Sequence, residues 1–149
     1  MWFDVPPDQR IPQWRSWRES LSPDPIVALK EIASTWGRVP LKSYYLTPDS
    51  AEDWPSPWQL VHDNLYCDLS VSLGMFYSIV LSDTFEKDPV IAIYLDNSAW
   101  INVLYYDNKK YVLNWNHGGV VNTITERIEI AELTPKYQYT VSSLRHLYQ

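Results

Sequence analysis

The spacing of apolar residues changes near Pro89 in this chain of 149 residues. Before that point apolar residues recur at helical spacing, most clearly in Pro25–Trp36. Asp24 can cap the start of this segment and Gly37 follows its last periodic residue. After Pro89, β-branched and aromatic residues follow the alternating pattern of strands. The chain therefore predicts helices first and a sheet second.

Three further helices are predicted in the first part. Gln13–Leu21 predicts a short one, and 57–62 another that Ser56 can cap. A longer helix is predicted from about Cys67 to Ser82. Its apolar residues wrap most of the circumference, so we expect it to be buried at the centre of the fold. The intervening segment 39–56 is rich in proline, aspartate and serine and predicts a loop.

The second part predicts strands joined by short turns. Three strands are predicted at 90–94, 100–105 and 110–113, and two more near 120–129 and 137–144. Asp-Asn and Gly-Gly pairs supply the turns, so sequential strands should pair antiparallel. The result is one α+β domain spanning 1–149, with N-terminal helices packed on a C-terminal antiparallel β-sheet. Its parts are a helical, aromatic-rich 1–53, a middle 54–115, and C-terminal strands in 116–149.

Composition narrows the classes of function. Hydrophobic residues make up 46% and charged residues 20%, which is typical of a globular domain, and no apolar run is long enough to span a membrane. The net charge of −6 comes without a basic cluster, so we expect no nucleic-acid partner. No histidine or cysteine spacing predicts a metal, and no cofactor is implied. Without a secretory pattern at the start, we expect a cytoplasmic protein or a component of a virion.

The aromatic content raises a second question. Eight tryptophans and eleven tyrosines can either fill the core or form a docking face. For the second alternative we single out Trp2, Trp14 and Trp17 as the centre of an interface, with Arg15 and Arg18 at its rim. The expected partner is another protein or a second copy of the chain.

Cys67 is the candidate nucleophile. It is a single, unpaired cysteine at the predicted start of a helix, and helix N-termini favour the reactive thiolate. Free cysteines are also among the most buried residue types, so the alternative is a small apolar core residue.

The sequence around Cys67 resembles a known fold family over roughly Trp54 to Trp115. Four stretches carry the resemblance: Ser56-Pro57-Trp58-Gln59-Leu60, Cys67-Asp68, Ser98-Ala99-Trp100-Ile101-Asn102-Val103 and Tyr111-Val112-Leu113-Asn114. In this order they are similar to the transglutaminase-like fold, which includes bacterial cysteine peptidases. The resemblance implies that fold for the middle part of the chain.

The resemblance also implies a degenerate active site. In the family the nucleophilic cysteine is joined by a histidine that begins a His-Ala-Trp strand and an aspartate that ends the next strand. Cys67 matches the nucleophile, but Ser98 stands in place of the histidine and Asn114 in place of the aspartate. A serine cannot act as a general base near neutral pH. The resemblance thus implies a non-catalytic interaction or assembly protein.

One alternative keeps an enzyme. His117 lies three residues beyond Asn114, beside a Gly-Gly turn that could fold it back over Cys67. The chain would then be an active cysteine peptidase or acyltransferase with His117 as its base. For the non-catalytic reading, a small, acidic, aromatic-rich chain is similar in character to virion or tail-assembly proteins of tailed bacteriophages.

Overall fold

The computed structural model describes residues 1–42 and 45–149. Helices occupy the first part and strands most of the second. The helices are α1 (Pro7–Glu19), α2 (Pro25–Trp36), α3 (Pro57–Asp63), α4 (Asp68–Val80) and α5 (Val141–Leu144), and the strands are β1 (Val90–Asp96), β2 (Ala99–Tyr106), β3 (Tyr111–Leu113), β4 (Val120–Asn122) and β5 (Tyr137–Tyr139). Short 3-10 helices lie at Trp2–Asp4, Ala51–Asp53, Glu129–Glu132 and Arg145–Leu147.

Local capping explains where the helices begin. The Asp24 carboxylate accepts the Ile26 N–H at 2.9 Å and starts α2 as predicted. Ser56 and Gln59 form a reciprocal capping box at α3. The predicted start of α1 at Gln13 is wrong, because the helix begins at Pro7 and continues through Pro12. The sequence pattern did not predict the first turns because an interior proline such as Pro12 usually marks a helix boundary.

The sheet has five strands in the order β4-β3-β2-β1-β5, and every pair is antiparallel. β1 and β2 pair from Val90↔Tyr105 to Asp96↔Ala99 around a two-residue turn. β5 pairs with the other side of β1 and forms that edge of the sheet. Its Tyr139 contacts Pro48 in the loop between α2 and α3. The α+β prediction is confirmed.

The last two predicted strands are shorter than the pattern indicated. β4 ends at Asn122, whose side-chain oxygen accepts the Ile124 N–H at 2.9 Å and turns the chain away from the sheet. β5 ends before Thr140, which caps α5 together with Ser143. Side-chain capping therefore outcompetes strand propensity in both places.

Two layers of core lie on the two faces of the sheet. Helix α4 is buried along nearly its whole length against one face, as predicted for the central helix. The opposite face carries a smaller cluster built on Tyr94, Val103 and Tyr105, covered by Ile128 and Ile130. Among the described residues, no helix has the length and apolar character needed to cross a bilayer.

The aromatic residues near the N-terminus belong mainly to the core. Trp2 and Trp14 are completely buried, so the prediction that they centre a docking face is wrong. The centroid of the Trp2 ring lies 4.9 Å from that of Trp17 and 5.0 Å from that of Trp36. The Trp2 indole N–H donates to the Tyr66 hydroxyl at 3.2 Å. Large rings are buried here because they fill the space between the first two helices and the loop before α4.

The flanking residues of that predicted face differ in exposure. Arg15 is exposed, while Trp17 and Arg18 are half-buried. The Arg18 guanidinium lies over the Trp14 ring at 4.2 Å and donates to the Leu81 carbonyl at 3.0 Å. An interface role for Arg15, Trp17 and Arg18 stays a prediction.

Candidate functional site

Cys67 is the N-cap residue of α4 and is 6% exposed. Ser70 forms a reciprocal pair with it: the Cys67 N–H donates to the Ser70 hydroxyl at 2.6 Å, and that hydroxyl lies 2.9 Å from the Cys67 carbonyl oxygen and 3.5 Å from Sγ. Ser70 therefore supplies the polar groups that hold the start of the helix. The thiol is placed at the first turn of α4, where the helix dipole favours negative charge.

A cleft of about 440 Å³ opens beside this thiol, and we call it the Cys67 cleft. It is lined by residues 45–48, residues 67–69, Trp100 and Asn102. Tyr45 and Trp100 are 81% and 43% exposed, so aromatic surface is open to solvent beside Cys67. The lining of the cleft therefore has a polar part, which includes Asp68 and Asn102, and an aromatic and apolar part.

Residues 45–48 form the loop wall of the Cys67 cleft, and two side chains from elsewhere in the chain hold this wall in place. The Trp54 indole N–H donates to the Thr47 carbonyl at 2.9 Å. The Tyr139 hydroxyl, from β5, donates to the Pro48 carbonyl at 2.6 Å, and the two rings pack edge to face at 4.7 Å. These contacts hold the wall in place without a ligand.

Four polar side chains are linked behind the thiol, and we call them the amide cluster: Asp68, Ser72, Asn102 and Asn114. The Asn102 amide nitrogen donates to the Asp68 carboxylate at 2.9 Å. The Asn114 amide nitrogen lies 2.8 Å from the Ser72 hydroxyl, 3.0 Å from the Asn102 carbonyl and 3.3 Å from the other Asp68 carboxylate oxygen. Because a carboxylate accepts only from donors, it fixes which end of each amide faces it.

This orientation leaves one buried acceptor over. The Asn102 side-chain oxygen has no hydrogen-bond partner among the described residues, and Asn102 is 5% exposed. Turning the amide round would place its oxygen against the Asp68 carboxylate, which is unfavourable. A buried acceptor without a partner is costly, and the other hydrogen bonds of the amide cluster must offset that cost.

The structure brings together some of the predicted site residues and separates others. Asn114 follows directly after β3, has a φ of 63° and joins the amide cluster through Ser72 of α4. Ser98 is exposed in the turn before β2, with φ 67, and does not line the Cys67 cleft. His117 is exposed in the segment between β3 and β4 and does not line the cleft either.

The β2 residue that meets the start of α4 is Asn102, which sequence reasoning gave no role. Asn102 lies four residues beyond Ser98, about 13 Å along an extended strand at 3.3 Å per residue. Ser72, on α4, was also missed. The available signal was polarity in apolar surroundings, since Asn102 stands between Ile101 and Val103, and Ser72 lies on a helix with few polar residues.

The chemistry of the site follows from these contacts. Within the described part of the chain, no histidine lines the Cys67 cleft and no group of three possible ligands could hold a metal ion. The carboxylate nearest the thiol is engaged by two amides. The described residues around the thiol therefore offer hydrogen-bonding groups and aromatic surface, and none of those that line the cleft is an imidazole.

Comparison with known proteins supports the fold. No protein-family model and no curated protein sequence matches the chain. Among solved structures, calcium-bound LapG of Legionella pneumophila matches with a TM-score of 0.61 and 16% identity, over 88% of this chain and 74% of LapG. Another structure of Legionella pneumophila LapG matches with a TM-score of 0.63 and 15% identity, over 91% and 75%.

These matches identify the class of scaffold. The helices followed by a five-stranded antiparallel sheet form a transglutaminase-like α+β fold, as the sequence predicted. At this level of identity the likeness to LapG is one of fold alone.

Proposed function

We propose that this chain is a non-catalytic interaction module on a transglutaminase-like scaffold, and that the Cys67 cleft binds an extended segment of a partner protein. The observation that carries the proposal is the amide cluster. Its amides and carboxylate are hydrogen-bonded to each other, and two of its members, Asp68 and Asn102, line the cleft together with Cys67.

No histidine is among the described residues that line the cleft, which supports a function without turnover. A thiol that attacks an acyl group needs a partner to take its proton and later protonate the leaving group. Loss of one member of such a set lowers rates by roughly 10³ to 10⁶. Asp68 is the acidic side chain at hand, but Asn102 and Asn114 both donate to it.

The shape of the cleft supports binding. Its loop wall is anchored by Trp54 and Tyr139 before any ligand arrives, and a preformed site loses little conformational entropy on binding. Trp100 and Tyr45 offer aromatic surface, which is enriched at binding hot spots. An extended peptide could pack its side chains against this aromatic surface.

The partner in this proposal is another protein or a second copy of the chain. The setting that suits such a module is an assembly, such as a virion or a phage tail, in which a rigid surface matters and turnover does not. Location in the cytoplasm or in a particle is likewise part of the proposal.

The first experiment tests chemistry and binding on the same protein. Wild type and His117→Ala are incubated with peptide thioesters and mixed peptides, and the mass of Cys67-containing fragments is followed. We expect no hydrolysis and no acyl-enzyme in either protein. Turnover in wild type that disappears in His117→Ala would instead support the cysteine peptidase or acyltransferase alternative.

The second arm selects ligands from a random peptide library on the folded protein. Selected peptides should bind to wild type and lose affinity by about tenfold or more in Trp100→Ala, the loss typical of a hot-spot aromatic. Trp58→Ala is the matched control, because Trp58 is also partly exposed but lies on α3 outside the cleft. Equal effects of the two variants, or failure to select any ligand, would contradict the proposal.

A further inference from the structure

A second pocket lies on the face of the sheet opposite α4. It has a volume of about 410 Å³ and is formed between the outer face of the sheet and residues 127–133. We call it the Trp115 pocket. Its floor is apolar, with half-buried Ile101 and buried Ile128. Trp115 and Leu133 also line it and remain 39% and 59% exposed, so this apolar surface is open to solvent.

The charges around the Trp115 pocket are mostly negative. Asp96 and Glu129 line it, are exposed, and take part in no ion pair among the described residues. Arg127 is the one cation among the lining residues, and its guanidinium is held by both Glu132 carboxylate oxygens at 2.9 and 2.7 Å. The two lining carboxylates, of Asp96 and Glu129, are therefore without an ion-pair partner among the described residues, while the lining guanidinium is already paired with Glu132.

The electrostatics of Arg127 agree with this count. Its pKa is raised, first by the hydrogen bond to Glu132 and then by the Glu132 charge, with a smaller contribution from the charge of Glu129. The whole chain carries a net charge of −6, so the pocket lies in a field that attracts cations.

Aromatic surface beside unpaired carboxylates fits a particular chemical group. An indole face attracts a cation, and a guanidinium also stacks on it through its flat surface. A guanidinium is more weakly hydrated than an ammonium and pairs with a carboxylate through two parallel hydrogen bonds. Arginine therefore matches the combination of Trp115, Asp96 and Glu129 better than lysine does.

We propose that the Trp115 pocket is a docking site for an arginine side chain of a partner protein. The guanidinium stacks on Trp115 and pairs with Asp96 and Glu129, while the aliphatic part of the side chain lies against Ile101 and Leu133. This site is on the other face of the sheet from α4 and does not depend on the function proposed for the Cys67 cleft.

The test uses a defined probe, acetyl-Gly-Arg-Gly-amide, titrated into ¹⁵N-labelled protein. The matched neutral probe replaces arginine with citrulline, which has nearly the same shape. The indole N–H resonance of Trp115 is followed by NMR and is assigned by its loss in Trp115→Phe. We expect a saturable shift with the arginine peptide and binding of the citrulline peptide that is about tenfold weaker.

Charge variants separate a specific site from a general effect of charge. Asp96→Asn and Glu129→Gln should each weaken binding of the arginine peptide by about threefold, and added salt should weaken it further. Glu19→Gln removes the same charge from exposed α1 and should leave affinity unchanged. Because these positions are exposed, all three variants are expected to fold, which thermal unfolding checks.

Three results would overturn the proposal. The first is the absence of a saturable shift of the Trp115 resonance with the arginine peptide. The second is equal affinity for arginine and citrulline peptides. The third is a loss in Glu19→Gln as large as that in Asp96→Asn, which would reduce the effect to net charge.

Discussion

At the scale of single residues, Asn114 determines the character of the site. Its amide nitrogen donates into a group of acceptors from α4 and β2, and its φ of 63 is one that asparagine adopts more readily than most residues. An aspartate at this position orients a histidine in the family that the sequence resembles. No imidazole is among the described residues that line the cleft, and the Asn114 amide joins helix α4 to strand β2.

Replacing Asn114 with aspartate should therefore destabilise the protein. Asn114→Asp removes the donors to Ser72 and to the Asn102 carbonyl and places a second carboxylate beside Asp68. We expect a loss of about 2–4 kcal/mol in the free energy of unfolding, from lost hydrogen bonds and like-charge repulsion. Urea unfolding at pH 7 measures the loss of stability. We also expect Asn114→Asp to show no gain of hydrolytic activity.

The control for this substitution is Asn108→Asp. Asn108 also has a positive φ, of 54, but lies exposed in a turn, so the same chemical change should cost little there. Equal destabilisation by the two substitutions would show that the backbone conformation, and not the amide cluster, is responsible.

At the scale of elements, α2 and α4 approach closely because Gly74 has no side chain. The buried Trp36 ring occupies the space where a Cβ of residue 74 would lie, and its N–H donates to the Ser78 hydroxyl at 2.9 Å. The contact fixes how the helical layer sits on the sheet. It also joins the aromatic cluster of the N-terminal segment to the helix that carries Cys67.

Gly74→Ala should destabilise the fold although alanine is the better helix former. The gain in helix propensity is about 1 kcal/mol, whereas forcing the Trp36 ring out of its packed position costs about 1–3 kcal/mol or more. Because the added Cβ would overlap the ring, we expect the larger cost, with a net loss of about 2 kcal/mol. Thermal and urea unfolding give the difference.

Gly119→Ala is the matched control for that change. A Cβ at Gly119 would meet its nearest atoms at 3.8 Å, which is ordinary contact, and its φ is not positive. We expect no measurable loss of stability. A comparable loss at both glycines would contradict the proposed role of the Trp36 contact.

At the scale of the whole molecule, buried tyrosines link the fold to alkaline pH. Burial raises the pKa of Tyr66 to about 12, although the Trp2 N–H favours the charged form. Burial also raises the pKa of Tyr77 and Tyr105. These hydroxyls lie in both core layers, so alkaline titration tests the whole fold.

The sign of the pH effect follows from proton binding. Between a pKa of about 10 in the unfolded chain and about 12 in the folded one, the folded state holds a proton on Tyr66 that the unfolded state has lost. Stability therefore falls as pH rises from 10 to 12. Tyr66→Phe should remove about 2 kcal/mol of that fall. One pKa unit corresponds to about 1.4 kcal/mol, and titration is only half complete in the unfolded chain at pH 10 and in the folded one at pH 12.

Urea unfolding of wild type and Tyr66→Phe at several pH values between 8 and 12 measures the two slopes. Tyr45→Phe serves as the control for the same chemical change at an exposed position, since Tyr45 is 81% exposed. Identical slopes in wild type and Tyr66→Phe would contradict the prediction.

The sequence predicted the order of elements well because caps and periodicity are local properties. Asp24, Ser56 and Cys67 each mark a helix start that the structure confirms. It could not predict the amide cluster, since Asn102 and Ser72 are 30 residues apart in sequence and meet only when α4 packs on β2. It also misplaced Trp2 and Trp14, because composition does not reveal which aromatic side chains the fold buries.

The anchor from Tyr139 to the Pro48 carbonyl has a consequence for the order of events during synthesis. The thiol, the helix and the loop that line the cleft are all translated before β5, and Tyr139, the second of the two side chains that fix the loop, can act only after it has emerged and paired with β1. A nascent chain that ends before β5 therefore holds this loop through Trp54 alone. The wall of the cleft reaches its final form only after Tyr139 has been translated.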